Sequence, residues 1–406
     1  MNIGIVTTWF ERGAAYVSKL YMDALSENSN VFIYARGGES YAIGNPDWDG
    51  ENVYWSKKIT SIFGGTLLHK KEFYNWVKKN NIKIVLFNEQ TWWLPLIWCH
   101  DLNIRTVAYV DYYTESTIPL FAAYDAVICN TKKHFEAFQW HQNAIYIPWG
   151  TDVNTFRPKT IELVKGETLR FFHSCGISPR RKGTDLLIRS LEFIKNKNYK
   201  VIIHAQKDLK VLLPELAGII ENYIFDGRLC IITETVPAPG LYYLGDVYVY
   251  PSRLEGIGLT VPEAISSGLG LIVPNCGPMN EFAGDDFSKV VPVLRYFSRY
   301  DGYYWPQNEV DPQLLANTME YFISNKENIS SVKQSAREYA LNYLSWNKNS
   351  HSINSVFNNV FLSTKGKFEE NVKCSILMYE SSGLRRFNKF YLKATWIYII
   401  YKWSLK

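Results

Sequence analysis

The chain has 406 residues, 47% hydrophobic and 20% charged, with a net charge of +5. That length fits two or three domains with sizeable cores and excludes a disordered, collagenous or coiled-coil chain. Between Arg385 and Lys406 lie six Lys/Arg and no Asp or Glu, which leaves the other 384 residues at −1. The excess belongs to the tail, so a local anionic partner is expected there rather than general nucleic-acid binding.

The N-terminal MNIGIVTTWF has no basic stretch ahead of its apolar run. It reads as a first core strand, not a signal peptide. Met1–Thr8, Asn30–Tyr34, Ile82–Phe87, Arg105–Val110 and Ala126–Cys129 are near-continuous apolar runs, as buried parallel strands require. Tyr16–Leu25, His69–Lys79 and Lys132–Trp140 read as the helices between them. A break at Pro148–Lys159 follows, and the alternation restarts. Strands are expected at Arg170–His173, Lys200–Ala205, Leu229–Thr233, Val247–Tyr250 and Gly270–Val273. Helices are expected at Gly183–Ile194, Val211–Glu221, Gly240–Leu244 and Val261–Ser267, closed by Asp311–Asn325 and Ser330–Leu344. The fold class is α/β: two doubly wound halves, expected to hold a nucleotide-type ligand in a cleft at their C-terminal strand edges. No run of about 18 apolar residues occurs, so no membrane-spanning helix is expected. The six Cys are scattered with no C-x-x-C, which fits a reduced, cytosolic setting without a zinc or redox pair.

The most informative run is Val249-Tyr250-Pro251-Ser252-Arg253-Leu254-Glu255-Gly256-Ile257-Gly258-Leu259-Thr260-Val261-Pro262-Glu263-Ala264. It reads as a strand end, a Gly-rich turn and a helix start. Gly256 and Gly258 leave room for a ligand near the backbone, and the first-turn N–H groups around Gly258, Leu259 and Thr260 suit phosphate or sugar oxygens. Glu255 can reach sugar hydroxyls, and Glu263 can accept from both hydroxyls of a ribose. A Glu-x7-Glu pair alone is weak, since about one is expected by chance in a chain this long. The intervening P-S-x-x-E-G-x-G-L and the following E-A-x-x-x-G make it specific. This run resembles the signature of retaining glycosyltransferases of the GT-B fold, in particular family four.

Cys175-Gly176-Ile177-Ser178-Pro179-Arg180-Arg181-Lys182-Gly183-Thr184 resembles the same family's stretch in which an Arg and a Lys hold the donor diphosphate. Lys182 matches the Lys. Ile177 stands where the Arg is expected, so Arg180 or Arg181 is left to supply the second charge. Pro148–Pro158 resembles the family's hinge, and Leu244–Val249 its strand entry. The resemblance covers about residues 1 to 360 and is looser in the first half. There, Gly13 followed by Ala14 stands where the family has a Gly pair, with Arg12 beside it. Asp111 stands where many members carry a His next to the reacting sugar. An acid there could orient or deprotonate an acceptor hydroxyl, and Glu89 is a second candidate. Asp47-Trp48-Asp49 is formally a D-x-D, but it lies in a polar loop away from any strand end and reads as coincidence.

The resemblance implies a GT-B architecture, with an acceptor-side Rossmann-like domain at 1–155, a nucleotide-sugar domain at 156–345, and a crossover helix and tail at 346–406. It implies transfer of a hexose-type sugar from a nucleoside-diphosphate donor to a glycan or lipid-linked hydroxyl in surface polysaccharide synthesis. No metal or other cofactor is expected, because Lys, Arg and helix dipoles can neutralise the leaving diphosphate. A GT-B epimerase, or a degenerate protein that binds nucleotide-sugar or glycan, is the alternative. In the tail, Phe387, Phe390, Tyr391, Ala394, Ile397, Tyr398 and Tyr401 recur at three- and four-residue steps, with Trp396 and Trp403 as candidate anchors. This suits an amphipathic helix on an anionic membrane surface through 385–406, and equally a helix packed across the N-terminal domain. The expected location is cytoplasmic, with peripheral attachment at the inner face of the membrane as one option.

Overall fold

The computed structural model describes residues 1–37, 40–57, 59, 66–159, 168–363 and 370–394. The chain forms two compact units. Met1–Asn130, His134–Ile147 and Ser350–Lys406 make the first, and Thr131–Lys133 with Pro148–Asn349 the second.

The first unit is a parallel sheet of β1 (Asn2–Thr7), β2 (Asn30–Ala35), β3 (Val53–Trp55), β4 (Ile84–Asn88), β5 (Arg105–Tyr109), β6 (Ala126–Cys129) and β7 (Ala144–Tyr146), in the order β3-β2-β1-β4-β5-β6-β7. β1 and β4 are almost wholly buried, which is why they read as unbroken apolar runs. Gly4 lets the helix Lys70–Lys79 pack onto β1: a Cβ there would stand 2.3 Å from the Trp76 ring. The three-residue edge strands β3 and β7 and the helix Leu94–Asp101 were not expected from the sequence.

The C-terminal segment returns to this unit. Asn354 donates to the Ala24 carbonyl (2.8 Å), and Phe357 and Ile376 are fully buried. Glu380, also buried, accepts from the Trp93 N–H (2.9 Å) and from Arg385 (3.3 Å). Arg385 also donates to the Thr91 carbonyl. Phe387 and Phe390 are exposed. Trp396, Ile397, Tyr398, Tyr401 and Trp403 lie outside the described residues. Among the described residues no helix is long and apolar enough to cross a membrane.

The second unit holds a six-stranded parallel sheet of β8 (Leu169–Gly176), β9 (Tyr199–Ala205), β10 (Leu229–Thr233), β11 (Val247–Val249), β12 (Gly270–Pro274) and β13 (Ser288–Val291), in the order β10-β9-β8-β11-β12-β13. An antiparallel hairpin, β14 (Val293–Phe297) with β15 (Gln307–Val310), is attached. Two expected helices change form. Val211–Glu221 is interrupted at Pro214, which opens a separate 3-10 turn before the helix Ala217–Phe225. Gly240–Leu244 contains only a 3-10 turn at Tyr242–Leu244. Asp311 caps Pro312–Ser324 by accepting from the Gln313 and Leu314 N–H groups. Buried Asp246 takes both Arg170 (2.9 Å) and Lys333 (3.0 Å), which pins β8 beside β11.

In each unit the strand order reverses once, between β1 and β4 in the first and between β8 and β11 in the second. Doubly wound sheets bind ligands beyond the carboxyl ends of the strands at that reversal.

Candidate active site

Two turns leave the reversal in the second unit. One follows β8 and leads to the helix Thr184–Ser190; the other follows β11 and leads to the helix Thr260–Ser266. Gly183 joins them. Its φ is +71°, and a Cβ would stand 2.0 Å from the Pro251 carbonyl oxygen, so only glycine fits. The Arg253 N–H donates to the Arg181 carbonyl (2.8 Å), and Arg253 clamps Asp185 with two bonds of 2.7 and 2.8 Å and Glu309 with a third of 2.9 Å. Gly183→Ala should therefore lower the melting temperature by several degrees, because both the left-handed backbone and the contact are lost. Thermal unfolding of the variant checks this.

The two turns bring Arg181, Lys182, Tyr250, Ser252 and Glu255 together. Glu255 Oε1 accepts from Lys182 Nζ (2.8 Å), Arg181 Nη1 (2.9 Å), Tyr250 Oη (2.9 Å) and Ser252 Oγ (2.6 Å). Oε2 accepts from none of the described residues. Burial pushes the Glu255 carboxyl up, but Lys182 and Arg181 outweigh it and bring it to about 2. Burial lowers the Lys182 ammonium, and Glu255 works against that. Lys182 also touches the Tyr250 hydroxyl. Below it, His173 is fully buried between the Val249 carbonyl and the Thr184 hydroxyl, at 2.8 Å from each. Burial lowers its imidazole to about 4, so it is neutral at pH 7. Arg180 is turned away from Glu255, toward Glu215 (2.8 Å) on the exposed surface.

Glu263 stands in the first turn of Thr260–Ser266, half-buried, and accepts from Tyr242 Oη at 2.5 Å. Burial raises its carboxyl to about 7, against the lowering effect of that hydrogen bond. Gly258 has φ +82° and its carbonyl accepts from the Val261 N–H (2.9 Å). Leu259 is the N-cap residue and offers no side-chain cap to the Thr260 turn. Tyr250, Ser252, Tyr242, His173 and Arg253 had been given no role from the sequence. The signal for Tyr250 and Ser252 was their place at the strand end of the run that holds Glu255.

Gly13, Asp111 and Glu89 belong to the first unit. Gly13 opens the helix Gly13–Ser26, after an Arg12 N-cap in extended conformation. Asp111, half-buried, follows β5, and Glu89 follows β4 with φ +50°. Asp49 serves its own loop, accepting from Gly44 N–H (2.6 Å) and Trp55 Nε1 (2.7 Å).

Residues 169–323, which carry both turns, match the family model described as glycosyl transferases group 1. Over those residues the chain is similar to the group 1 glycosyltransferase domain. Solved structures of GT-B glycosyltransferases resemble most of the chain. The pneumococcal O-GlcNAc transferase GtfA, in complex with UDP and GlcNAc, aligns with a TM-score of 0.67 at 13% identity, over 89% of this chain and 99% of its own. Anabaena HepE in complex with UDP gives 0.65 at 15% identity, over 88% and 99%. WaaG, a glycosyltransferase involved in lipopolysaccharide biosynthesis, gives 0.60 at 13% identity, over 87% and 99%. No curated protein matches the chain in sequence. At these identities the structural likeness establishes the GT-B fold, and the group 1 domain accounts for the second unit's sheet.

Proposed function

We propose that the protein transfers a hexose-type sugar, with retention of configuration, from a nucleoside-diphosphate donor to a hydroxyl of a glycan or lipid-linked glycan. The observation that carries this reading is the Arg181–Lys182–Glu255 cluster at the strand-order reversal of a group 1 glycosyltransferase domain, with Glu263 on the following turn. Lys182 and Arg181 meet the diphosphate, whose charge grows as the sugar departs. Glu255, held ionised, offers its second oxygen to sugar hydroxyls. Glu263 takes the ribose, and the uncapped Gly258–Thr260 turn adds backbone N–H groups. The acceptor hydroxyl attacks from the face the diphosphate leaves, with Asp111 as the group that orients it. UDP and GlcNAc in GtfA, and UDP in HepE, support a nucleotide-sugar donor; WaaG's role in lipopolysaccharide biosynthesis supports a surface-glycan acceptor. A thermal-shift screen against UDP-, GDP-, ADP- and dTDP-sugars tests the reading: one donor class should raise the melting temperature and be hydrolysed slowly without acceptor. Stabilisation by none of them would overturn it.

The tail belongs to the same reading as a peripheral contact with an anionic membrane surface at the cytoplasmic face, supported by its six basic residues and the exposed Phe387 and Phe390. Each Lys or Arg near an anionic leaflet contributes about 1 kcal/mol. A chain ending at Ala394 loses Trp396, Trp403, Lys402 and Lys406 but keeps Arg385 on Glu380. It should keep its melting temperature and lose most co-sedimentation with phosphatidylserine vesicles. A sharp drop in melting temperature, with no vesicle binding by either form, would make the tail a brace of the first unit instead.

A further inference from the structure

Arg36 stands directly after β2 in the first unit and is 9% exposed. Its guanidinium donates to the Glu89 carbonyl (3.2 Å) and the Gln90 side-chain oxygen (3.1 Å) through Nη1, and to Thr8 Oγ1 (3.5 Å) through Nη2. All three are neutral oxygens and all three bonds are long. Among the described residues no carboxylate closes an ion pair with it. A guanidinium has five N–H donors, so two remain unused. A buried charge is normally paired, because desolvation is costly and neutral acceptors offset only part of it.

Its place is as informative as the absence of an ion pair with a carboxylate of the described residues. Thr8 follows β1, and Glu89 and Gln90 follow β4, the two strands between which the order of this sheet reverses. Glu89 holds a left-handed φ of +50°, uncommon for a residue with a side chain, and its carbonyl meets Arg36. Asn88 donates to the Ala14 carbonyl (2.8 Å) and Ser18 Oγ (2.7 Å), so the same turn is tied to the helix that Arg12 caps. Burial lowers the Arg36 guanidinium to about 10, Glu89's charge opposes the shift, and the like charge of Arg12 adds to it. Arg36 is still protonated at neutral pH. Arg36 thus holds a guanidinium fork that no carboxylate of the described residues contacts. This is the geometry that recognises an oxyanion bidentately.

We infer that the reversal of the first sheet binds an oxyanion carried by the acceptor, a phosphoryl or carboxylate group, in the fork of Arg36. The inference rests on the reading of this unit as the acceptor side. It makes the acceptor an anionic glycan or glycan phosphate rather than a neutral sugar.

The probes are methyl phosphate and acetate, titrated by calorimetry into the full chain with its donor site saturated by the nucleoside diphosphate that the donor screen selects. One probe should bind saturably, and the one that does separates a phosphoryl from a carboxylate acceptor. Arg36→Met should weaken that binding by at least about tenfold, since bonds to a charged donor are lost. Arg36→Met should also keep or raise the melting temperature, because an unpaired buried charge is removed. Arg36→Lys keeps the charge without the fork and should weaken the probe several-fold. It carries the test if the methionine variant does not fold. Nucleotide affinity, read in the same samples, reports on the second unit alone, so failure of the donor reading is seen separately. The inference is overturned if neither probe binds, if both variants bind the probe like the wild type, or if Arg36→Met lowers the melting temperature sharply while Arg36→Lys binds normally.

Discussion

Lys182→Ala should lower kcat by about 10²- to 10³-fold, the usual cost of removing one preorganised donor from developing charge. The side chain is almost enclosed, and its ammonium sits on Glu255 Oε1 with Arg181 on the same oxygen. Two cations around one carboxylate leave a net positive charge where the diphosphate is proposed to lie. That charge gains most when the sugar–phosphate bond is nearly broken, so the loss falls on kcat more than on affinity for the nucleoside. Glu255 would keep Arg181, Tyr250 and Ser252, so its carboxyl would rise from about 2 yet stay ionised at neutral pH. Steady-state kinetics with the selected donor separates the effects. A higher KM at unchanged kcat would make Lys182 a contact made equally in the ground and transition states. Turnover should persist in EDTA, because Lys182 and Arg181 supply the neutralising charge. Loss in EDTA with recovery in magnesium would assign that charge to a metal ion and reopen Asp47 and Asp49, although Asp49 is already engaged by Gly44 and Trp55.

The strands that flank each reversal were legible because a parallel strand covered on both faces is a continuous apolar run. β3 and β7 were not, since three half-buried or exposed residues at a sheet edge carry no period to read. The hairpin β14–β15 was missed for a related reason: Leu294 to Phe297 is exposed and mixes aromatic with charged residues. Lys182, Glu255 and Glu263 were singled out by the family resemblance of the two runs that carry them. Which of Arg180 and Arg181 joins Lys182 was not legible, because adjacent residues of one turn point apart: Arg180 goes to Glu215 and Arg181 to Glu255. The clamp of Arg253 on Asp185 and Glu309 spans 68 and 56 positions. It follows only from β8 and β11 lying side by side, which no local pattern reveals. Arg36 was hidden in the same way, since its neutral acceptors come from strand ends brought together.

Donor affinity should depend on pH through Glu263. Its carboxyl is raised to about 7 by burial, and its one hydrogen bond is from Tyr242. The folded protein therefore holds this proton between the ordinary carboxyl value and about 7. In that window the group's contribution to folding stability falls as pH rises. Binding has the opposite sign. Two ribose hydroxyls donate, and only the ionised carboxylate accepts both, so binding must first expel the proton below pH 7. Affinity for an intact nucleotide-sugar should be flat above about pH 8 and fall by about tenfold per unit below 7, as release of one proton requires. The diphosphate diester does not titrate there, so the slope belongs to the protein. Glu263→Gln should flatten the profile, and Glu263→Ala should weaken binding at pH 8 by roughly tenfold to a hundredfold, the worth of hydrogen bonds to a charged acceptor. Calorimetry at four pH values in buffers of different ionisation enthalpy counts the proton directly. A slope that persists in Glu263→Gln would move the titrating group elsewhere. Unchanged affinity of a folded Glu263→Ala at pH 8 would remove the ribose contact from the mechanism.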